Sequence, residues 1–289
     1  MGSSQQLKSR IRSVKNTKQI TKAMQMVAAS KMRRAQELDQ SSAPYTHAAN
    51  ELLTYLAAQG VTDDHVLFQK REVKTRLLIV IAADKGLAGA YNSNVVKTYI
   101  SELKSDDKRG IKNTTIAVGR RASQAATRLK DTSILAVYED LPDHPAGSQL
   151  RSILDTAKDM FVGGEVDAVD LVFTEFISSI NQQVVTKRIL PAGFEATDVT
   201  TEISESKFEP DIASVLDGVA YRLVEAQVFQ ALLDARASEY SMRMVAMKNA
   251  TDNASDLADD LTLAMNKARQ GAITQELAEI SGGVEALNQ

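Results

Sequence analysis

The last 79 residues contain no proline, and apolar side chains recur along them at steps of three and four residues, beginning with Ile212, Leu216 and Leu223. Read as one helix from Asp211 to about Ala286, this segment would be roughly 110 Å long, because each helical residue adds about 1.5 Å. A compact globule of this chain length has a diameter of only about 50 Å. We therefore expect a long C-terminal helix that projects from the rest of the protein.

The apolar positions of this helix form a narrow seam, which is typical of a coiled coil rather than of a helix in a broad core. Glu209-Pro210-Asp211 supplies the start signal, since proline suits a first helical turn and carboxylates suit the positive end of the helix dipole. The later predicted seam positions are Val219, Ala226, Leu233, Ala237, Tyr240, Met244, Met247, Ala254, Leu257, Leu261, Ala264, Ala268, Ile273, Leu277, Ile280, Val284 and Leu287.

The N-terminal segment predicts a second helix with a narrow seam. Residues 7–43 contain neither glycine nor proline, and the pattern can continue to about Gln59. Pro44 predicts a kink or a local break, because proline removes a backbone donor from the helix interior. The predicted seam positions are Leu7, Ile11, Val14, Ile20, Met24, Val27, Ala35 and Leu38.

Charge is distributed unevenly between these two segments. Nine Lys and Arg residues precede the first acidic residue, Glu37, whereas the remaining 253 residues hold 25 bases and 37 acids. The segment from Asp211 to the last residue carries twelve acids and six bases. Antiparallel pairing of the two helices would bury both seams and oppose unlike charges. A basic N-terminal segment also suits an anionic partner such as nucleic acid, a membrane or an acidic protein surface.

The middle of the chain predicts an α/β domain, because β-rich runs alternate with helical ones. We expect a mostly parallel, Rossmann-like sheet, and an overall α+β class made of this domain and a long antiparallel coiled coil. The predicted domains are residues 1–60, 73–200 and 208–289. The predicted strands are Arg76–Ala83, Thr114–Val118, Ser133–Tyr138 and Ala168–Thr174. One predicted helix follows the glycine turn and continues through Lys104, and two more span Arg120–Lys130 and Ser148–Phe161. The segments Phe176–Ile180 and Val184–Leu190 predict a terminal hairpin or an added strand.

No catalytic, cofactor or metal site is predicted. The absence of cysteine excludes disulfides, thiolate metal sites and thiol redox switches. The longest apolar run, Leu77 to Ala83, is far shorter than the roughly 20 residues of a membrane span. Gly86 and Gly89 follow a strand, but their spacing is not that of a nucleotide fingerprint, so a tight structural turn is the favoured interpretation. The three histidines, His47, His65 and His144, lack metal-ligand spacing.

Several motifs resemble the gamma subunit family of F-type ATP synthases, in its bacterial form. The resemblance extends from about Leu7 to Val284. It is carried by Ser13–Lys18 and Ile20–Arg34 near the start, by Arg243–Asn253 and Asn266–Ile280 near the end, and by the turn Asp84–Asn92, which is similar to the family's D-R-G-L-C-G-G-x-N.

The resemblance implies a non-catalytic rotor subunit. In this family the two terminal helices form an antiparallel coiled coil inside a ring of alternating alpha and beta subunits, and the foot rests with epsilon on the membrane c-ring. Proton flow turns the single rotor, and ATP forms on beta. The implied location is peripheral, on the cytoplasmic face of a bacterial cell membrane. Residues that match the family's ring contacts are Lys31, Arg33, Arg34, Arg269, Gln270 and Thr274.

Departures from the family pattern and rival interpretations accompany this expectation. Lys85, Ala88 and Ala90 replace Arg, Cys and Gly of the family turn, which favours a structural role. Without cysteine, thiol regulation of the chloroplast kind is excluded. The basic start resembles a mitochondrial transit peptide in composition, but the family motif begins within a few residues of Met1, which favours the bacterial type. The alternatives are a nucleic-acid-binding coiled coil and a nucleotide-dependent α/β enzyme.

Overall fold

In the computed structural model of the chain, one long helix precedes a small α/β domain and another follows it. The structure describes residues 2–129, 132–143, 147–204, 208–209 and 211–287. The elements are α1 (Gly2–Ala58), a 3-10 turn (Val66–Phe68), β1 (Thr75–Ile81), α2 (Tyr91–Arg109), β2 (Lys112–Val118), α3 (Arg120–Arg128), β3 (Ser133–Tyr138), α4 (Gly147–Val162), β4 (Ala168–Phe176), β5 (Gln182–Leu190), α5 (Thr201–Ser204) and α6 (Ile212–Leu287).

The contacts divide the chain into two compact units. Met1–Ala28 with Arg243–Gln289 forms the coil unit, and Ala29–Met242 forms the body unit. Each long helix therefore contributes residues to both units. The division into domains 1–60, 73–200 and 208–289 stays a prediction.

The five-stranded sheet of the body unit has the strand order β3-β2-β1-β4-β5. The first four strands are parallel and β5 is antiparallel to β4, which confirms the predicted mostly parallel sheet. Val184–Leu190 lies within β5 as the added strand. Of Phe176–Ile180, only Phe176 belongs to a strand, and the remaining residues form the connection from β4 to β5, where Ile180 is 93% exposed.

Both faces of this sheet are covered, which explains the continuous apolar run in β1. On one face, Ile79 and Leu171 pack in a cluster with side chains of α4 and α6, among them Phe161 and Val228. On the other face, Leu78, Val80 and Val172 pack with Val95 and Tyr99 of α2 and with Ala122 and Ala126 of α3. The body is therefore three layers thick, and burial of both strand faces stabilises a parallel sheet.

A buried ion cluster occupies the edge of the sheet where β1 and β4 begin. Arg76 donates to Asp106 over 2.9 Å, to Glu102 over 2.8 Å and to Asp170, which also accepts from Arg188. Burial alone would lower the pKa of Arg76, but the surrounding carboxylates outweigh it and raise the pKa above its ordinary value. Every charge in this cluster is paired, as buried charges require.

α1 and α6 also pack against each other within the body unit. Ala49, Leu53 and Leu56 of α1 form a buried cluster with Leu216 and Leu223 of α6. Their spacing of three, four and seven residues is the periodicity that the sequence predicts for a helical seam.

The sequence predicts a kink or break at Pro44 and a helix start at Glu209-Pro210-Asp211, and the structure bears on both. α1 is one helix from Gly2 to Ala58, with Pro44 exposed inside it, so the predicted break does not occur. Asp211 caps α6, because its carboxylate accepts from the backbone N–H and the hydroxyl of Ser214 at 2.8 Å. Pro210 lies outside the described residues.

The coil unit contains an antiparallel helix pair. Lys18 Nζ donates to Ser255 Oγ over 2.9 Å, and the hydroxyls of Thr21 and Thr251 lie 2.8 Å apart. Moving three residues forward on α1 thus moves four residues back on α6, as antiparallel helices require. The buried or half-buried side chains of α1 alternate in steps of four and three, apart from Met24, which adjoins Gln25. In the described part of the coil unit these positions are Leu7, Ile11, Val14, Lys18, Thr21, Met24, Gln25 and Ala28.

Several predicted seam positions are wrong. Ile20 is 60% exposed, Val27 is 56% exposed and Leu257 is 47% exposed, whereas Ala258 is only 4% exposed. The physical reason is that the seam keeps a period of 3.5 residues and accepts polar side chains at Lys18 and Thr21. A prediction that follows the larger apolar residues is therefore displaced by one position where the seam residue is polar, as at Thr21, or small, as at Ala28 and Ala258.

The opposed charges of the coil unit do not form ion pairs. Among the described residues, none of the α1 cations from Lys8 to Lys22 lies within 4.0 Å of a carboxylate, and Lys18 donates to a serine instead. Asp252, Asp256 and Asp259 on α6 are exposed. The predicted charge complementarity is therefore not realised as direct pairing, and both charged faces are directed to solvent.

Candidate partner-contact surfaces

The glycine turn after β1 is held together by its own polar side chains. Asp84 Oδ1 accepts from the backbone N–H of Arg120 over 3.0 Å and of Asp140 over 3.1 Å. Asn92 Oδ1 accepts from the N–H of Ala83 over 3.0 Å. Gly89 has a φ of +54°, a backbone conformation that favours glycine. These groups close the turn, and this supports its structural role.

Helix α6 occupies the region beyond the carboxyl ends of the strands, which is where doubly wound sheets hold their ligands. Ser238 Oγ donates to the carbonyl of Thr174 near the end of β4 over 3.2 Å. Arg236 donates to the carbonyl of Leu141, after β3, over 2.9 Å, and its guanidinium lies 3.9 Å from Asp84. Ser238 and Arg236 thus bond α6 to the carboxyl ends of β4 and β3.

The described part of the chain offers neither a metal-binding cluster nor a membrane-spanning helix. In these residues, no group of three or more His, Cys, Asp or Glu side chains could hold a metal ion. Across the same residues, no helix combines the length and the apolar character that crossing a bilayer requires.

Of the six predicted ring-contact residues, Lys31 is the one whose side chain forms an ion pair with another residue of the body unit. Its ammonium lies 2.8 Å from Asp143 and 5.4 Å from the ring centre of Tyr240, whose hydroxyl also donates to Asp143. Burial alone would raise the pKa of Asp143, but the hydrogen bonds from Lys31 and Tyr240 outweigh it, and the pKa lies below its usual value. Lys31 thus links α1 to the loop after β3 and to α6.

Arg33 and Arg34 have a different environment. Both are exposed on α1 of the body unit, and neither guanidinium has a hydrogen-bond or ion-pair partner among the described residues. The buried positions beside them are Met32 and Ala35, so the two arginines lie on the outer face of the helix. They are free to meet a carboxylate of another chain.

Arg269, Gln270 and Thr274 lie on α6 in the coil unit, and all three are exposed. The Thr274 hydroxyl donates to the carbonyl of Gln270 over 3.0 Å, as a helical threonine does with the residue four positions earlier. The three side chains therefore form one surface group within two helical turns of the coil unit. Lys31, Arg33 and Arg34 belong to the body unit and form a second group.

An exposed apolar stripe lies beside this group, and the sequence prediction placed it in the seam. Ile273 is 49% exposed, Leu277 is 60% exposed and Ile280 is 64% exposed. The register of the coil unit explains this, because continuing it one residue for one puts Gly2, the start of α1, opposite roughly residue 271. From that point on, the register places no described residue of α1 opposite the last 16 or so described residues of α6, a length of roughly 24 Å. Two further predicted seam side chains, Val284 and Leu287, lie outside the described side chains.

These observations define the class of protein first. Two long helices paired in an antiparallel coiled coil, joined to an α/β domain whose ligand crevice is filled by α6, form a structural subunit that presents surfaces to other proteins. Exposed cations on α1 and the exposed stripe on α6 are its candidate contact surfaces.

Comparison with known proteins gives the family. A family model described as ATP synthase matches residues 3–287. The ATP synthase gamma chain of Macrococcus caseolyticus is 39% identical over 287 residues, covering 99% of this chain and all of the relative. That of Desulforamulus reducens is 40% identical over 287 residues, with the same coverage. The chain belongs to the ATP synthase gamma chain family.

Solved structures show that the fold is shared. A chain of the Euglena gracilis mitochondrial ATP synthase rotor has a TM-score of 0.64 and 18% identity, covering 94% of this chain and 99% of that one. A chain of the Euglena OSCP/F1/c-ring structure has a TM-score of 0.69 and 19% identity, covering 99% and 95%. The predicted α+β class, with long terminal helices and a central parallel sheet, is confirmed.

Proposed function

We propose that this chain is the central-stalk rotor of an F-type ATP synthase. It is a non-catalytic subunit that transmits rotation, driven by proton flow through a membrane c-ring, to catalytic sites on the beta subunits. It thereby couples proton transport to ATP synthesis or hydrolysis. Its family membership supports the central-stalk role, whereas the nucleic-acid alternative finds no support among the relatives.

The unpaired end of α6 is the observation that carries this proposal. A single helix in water that exposes Ile273, Leu277 and Ile280 leaves apolar area uncovered, and burying such area stabilises an assembly by roughly 25 cal/mol per Å². A surrounding ring of subunits would cover this helix from all sides. Arg269, Gln270 and Thr274 on the same segment would then face that ring.

The coil's lack of symmetry suits rotation inside a ring with threefold symmetry. One rod inside such a ring presents a different face to each of three chemically identical sites. Different contacts bias the sites toward different conformations, because only a difference in contact energy can shift such an equilibrium. Arg33 and Arg34 offer charge on α1, and the α6 stripe offers apolar contact, so the two helices differ in the faces they present.

The proposed partners follow from this role. They are the alpha and beta subunits of the catalytic hexamer, the epsilon subunit and the membrane c-ring, with one copy of this chain in each complex. Its proposed location is the cytoplasmic face of a bacterial cell membrane, held there peripherally through the c-ring. We assign contacts with the hexamer to six residues, which are Lys31, Arg33, Arg34, Arg269, Gln270 and Thr274. The Lys31 ammonium is also paired with Asp143 of the same chain, so its contact with the hexamer would have to form alongside that ion pair.

Assembly tests the proposal directly. Co-expression with alpha and beta subunits of the same organism, followed by native mass spectrometry, should give a complex with three alpha, three beta and one copy of this chain. Another ratio, or recovery of an alpha–beta complex that excludes the chain, would contradict the rotor role. Mixing the purified chain with duplex DNA at low salt tests the alternative, and the rotor proposal expects no sequence-independent complex that survives physiological salt.

A further inference from the structure

A cavity of about 740 Å³ lies between α2 and α3 on the outer side of the sheet. Val96 and Ile100 from α2 and Ala125 and Leu129 from α3 are half-buried and line its apolar floor. We call it the α2–α3 groove. It is remote in sequence from every predicted ring-contact residue, and no role described above uses it.

Four exposed cations border this apolar floor. Lys97 and Lys104 lie on α2, and Arg121 and Arg128 lie on α3. Among the described residues that line the groove, none is acidic. Lys97, Lys104 and Arg128 have no ion-pair partner in the described part of the chain, and Arg121 donates only to its neighbour Gln124 over 3.3 Å. The groove therefore attracts a negatively charged partner.

The spacing of the cations indicates what kind of partner fits. Lys97 and Lys104 are seven residues apart, and so are Arg121 and Arg128, so each pair is separated by two helical turns, or about 10.5 Å. A single phosphate cannot bridge this distance. A β-strand covers it in about three residues, which places the matching side chains on opposite faces. A helix repeats the same face after seven residues.

We propose that the α2–α3 groove docks an amphipathic helix of a partner subunit, with apolar residues on the floor and Glu or Asp residues seven positions apart at the border. The groove is about 18 Å long between Asn92 and Lys104, which accommodates three turns of helix. Burial on the floor supplies most of the affinity. The exposed charges supply selectivity, because ion pairs at the border of an interface are weak and screened by salt.

A designed peptide tests the charge and the shape together. The probe is a 21-residue amphipathic helix with Leu on its apolar stripe and Glu on both flanks, and the matched peptide carries Gln in place of Glu. Fluorescence anisotropy with the full chain should show binding of the Glu peptide that weakens with salt. Binding of the Gln peptide should be at least tenfold weaker. Equal binding of the two peptides, or no binding of the Glu peptide, would overturn the proposal.

Charge-reversal variants place the binding in the groove. Lys97→Glu/Arg128→Glu should weaken binding of the Glu peptide by at least tenfold. The control Lys108→Glu/Lys112→Glu makes the same charge change at exposed positions that do not line the groove, and it should change binding by less than twofold. Equal effects of the two variants would show nonspecific attraction and would refute the assignment. Displacement of the peptide by ATP would identify a nucleotide site instead.

Because the chain contains no cysteine, a single introduced cysteine can be labelled selectively with a crosslinker. The labelled chain can then capture the natural partner of the groove in the assembled complex. Ser101→Cys, at the groove, and Ser152→Cys, at an exposed position of α4 on the opposite face of the sheet, are each labelled with a benzophenone crosslinker. Position 101 should crosslink to a partner segment that mass spectrometry identifies as an acidic amphipathic helix, and position 152 should not. No crosslink from position 101, or a crosslink to a basic, a non-helical or a lipid partner, would overturn the proposal. The outcome does not depend on the rotor assignment, which the subunit ratio tests separately.

Discussion

Lys31 illustrates how one side chain can serve the subunit's own structure and an expected contact. The family resemblance assigns Lys31 to the ring, yet its ammonium is bound to Asp143 and lies over Tyr240. Arg33 and Arg34, two and three positions further on, form no ion pair or side-chain hydrogen bond with any residue that the structure describes. Because a helix turns by about 100° per residue, neighbouring cations on α1 meet different surroundings.

Replacing Lys31 by Met should lower the free energy of unfolding by about 0.5–1 kcal/mol at pH 7, since the pair is partly exposed and screened. The folded pKa of Asp143 lies below its ordinary 3.8, so the contribution is present above that pH and disappears as the pH falls below it. Urea denaturation at pH 7 and pH 3 measures both. Arg34→Met is the control, with no change expected, and an equal loss in both variants would contradict the assigned ion pair.

Asp234 carries an unfavourable charge at neutral pH. Burial raises its pKa from 3.8 to about 7, and the charges of Asp39 and Glu175 add to the rise. The folded state therefore binds more protons than the unfolded state between these values, and stability falls as the pH rises through that window.

The variant Asp234→Asn should remove this cost. We expect it to raise the free energy of unfolding by about 1–2 kcal/mol at pH 8.5, after allowance for solvent screening, with a much smaller effect at pH 5. Guanidinium denaturation at the two pH values checks the prediction. A gain that is equal at both pH values would show that the carboxylate charge is not the cause. Asp252→Asn, at an exposed position of the same helix with no ion-pair partner among the described residues, is the control.

Arg269 and Gln270 test the contact assignment at the residue scale. Alanine at both positions should leave the helical circular dichroism and melting temperature unchanged, because both side chains are exposed. ATP-driven proton pumping of the assembled complex should fall severalfold, since ring contacts would be lost. Lys248→Ala, an exposed cation of α6 within the paired region, is the matched control. Normal pumping by the double variant would refute the assignment.

At the scale of elements, the coiled-coil seam is defined by its register rather than by its most apolar residues. Thr21 contacts Thr251, and Lys18 contacts Ser255, at positions where a stable coil would hold leucine or isoleucine. Polar seam residues fix register at a cost in stability.

The double variant Thr21→Val/Thr251→Val should be as stable as the natural chain or more stable by about 1 kcal/mol, because replacing both partners leaves no unsatisfied group. Thermal unfolding followed at 222 nm measures this. Thr17→Val, at an exposed position of α1, should change stability by less than about 0.5 kcal/mol. A loss of more than 1 kcal/mol in the double variant would show that the threonine pair stabilises the coil.

At the scale of the whole molecule, the end of α6 exposes Ile273, Leu277 and Ile280 in the part of the chain that the structure describes. Removal of residues 272–289 should leave the unfolding transition of the body unit unchanged, because the core of that unit lies entirely within residues 29–242. The truncated chain should still assemble with alpha and beta through α1 but pump protons less efficiently. Native mass spectrometry and pumping assays on the same preparation separate assembly from coupling. Full pumping by the truncated complex would contradict a contact role for the α6 stripe.

Local sequence patterns were sufficient to predict the order and the kind of the elements. The long segments without proline predicted α1 and α6, and the apolar run at Leu77 predicted a strand buried on both faces, because these patterns depend only on local periodicity. The start of β3 at Ser133 and the start of β4 at Ala168 match the predictions. The projection of α6 from a compact body stays a prediction.

The contacts between these elements follow from the tertiary structure and not from local patterns. Thr21 rather than Ile20 lies in the seam, and the stripe at Ile273 is exposed because the register places the first residues of α1 before it. Lys31 pairs with Asp143, 112 positions away in sequence. Periodicity fixes the local conformation of each helix, but the register between two helices depends on the contacts of both. The free energy of burial is therefore set between segments that no local pattern connects.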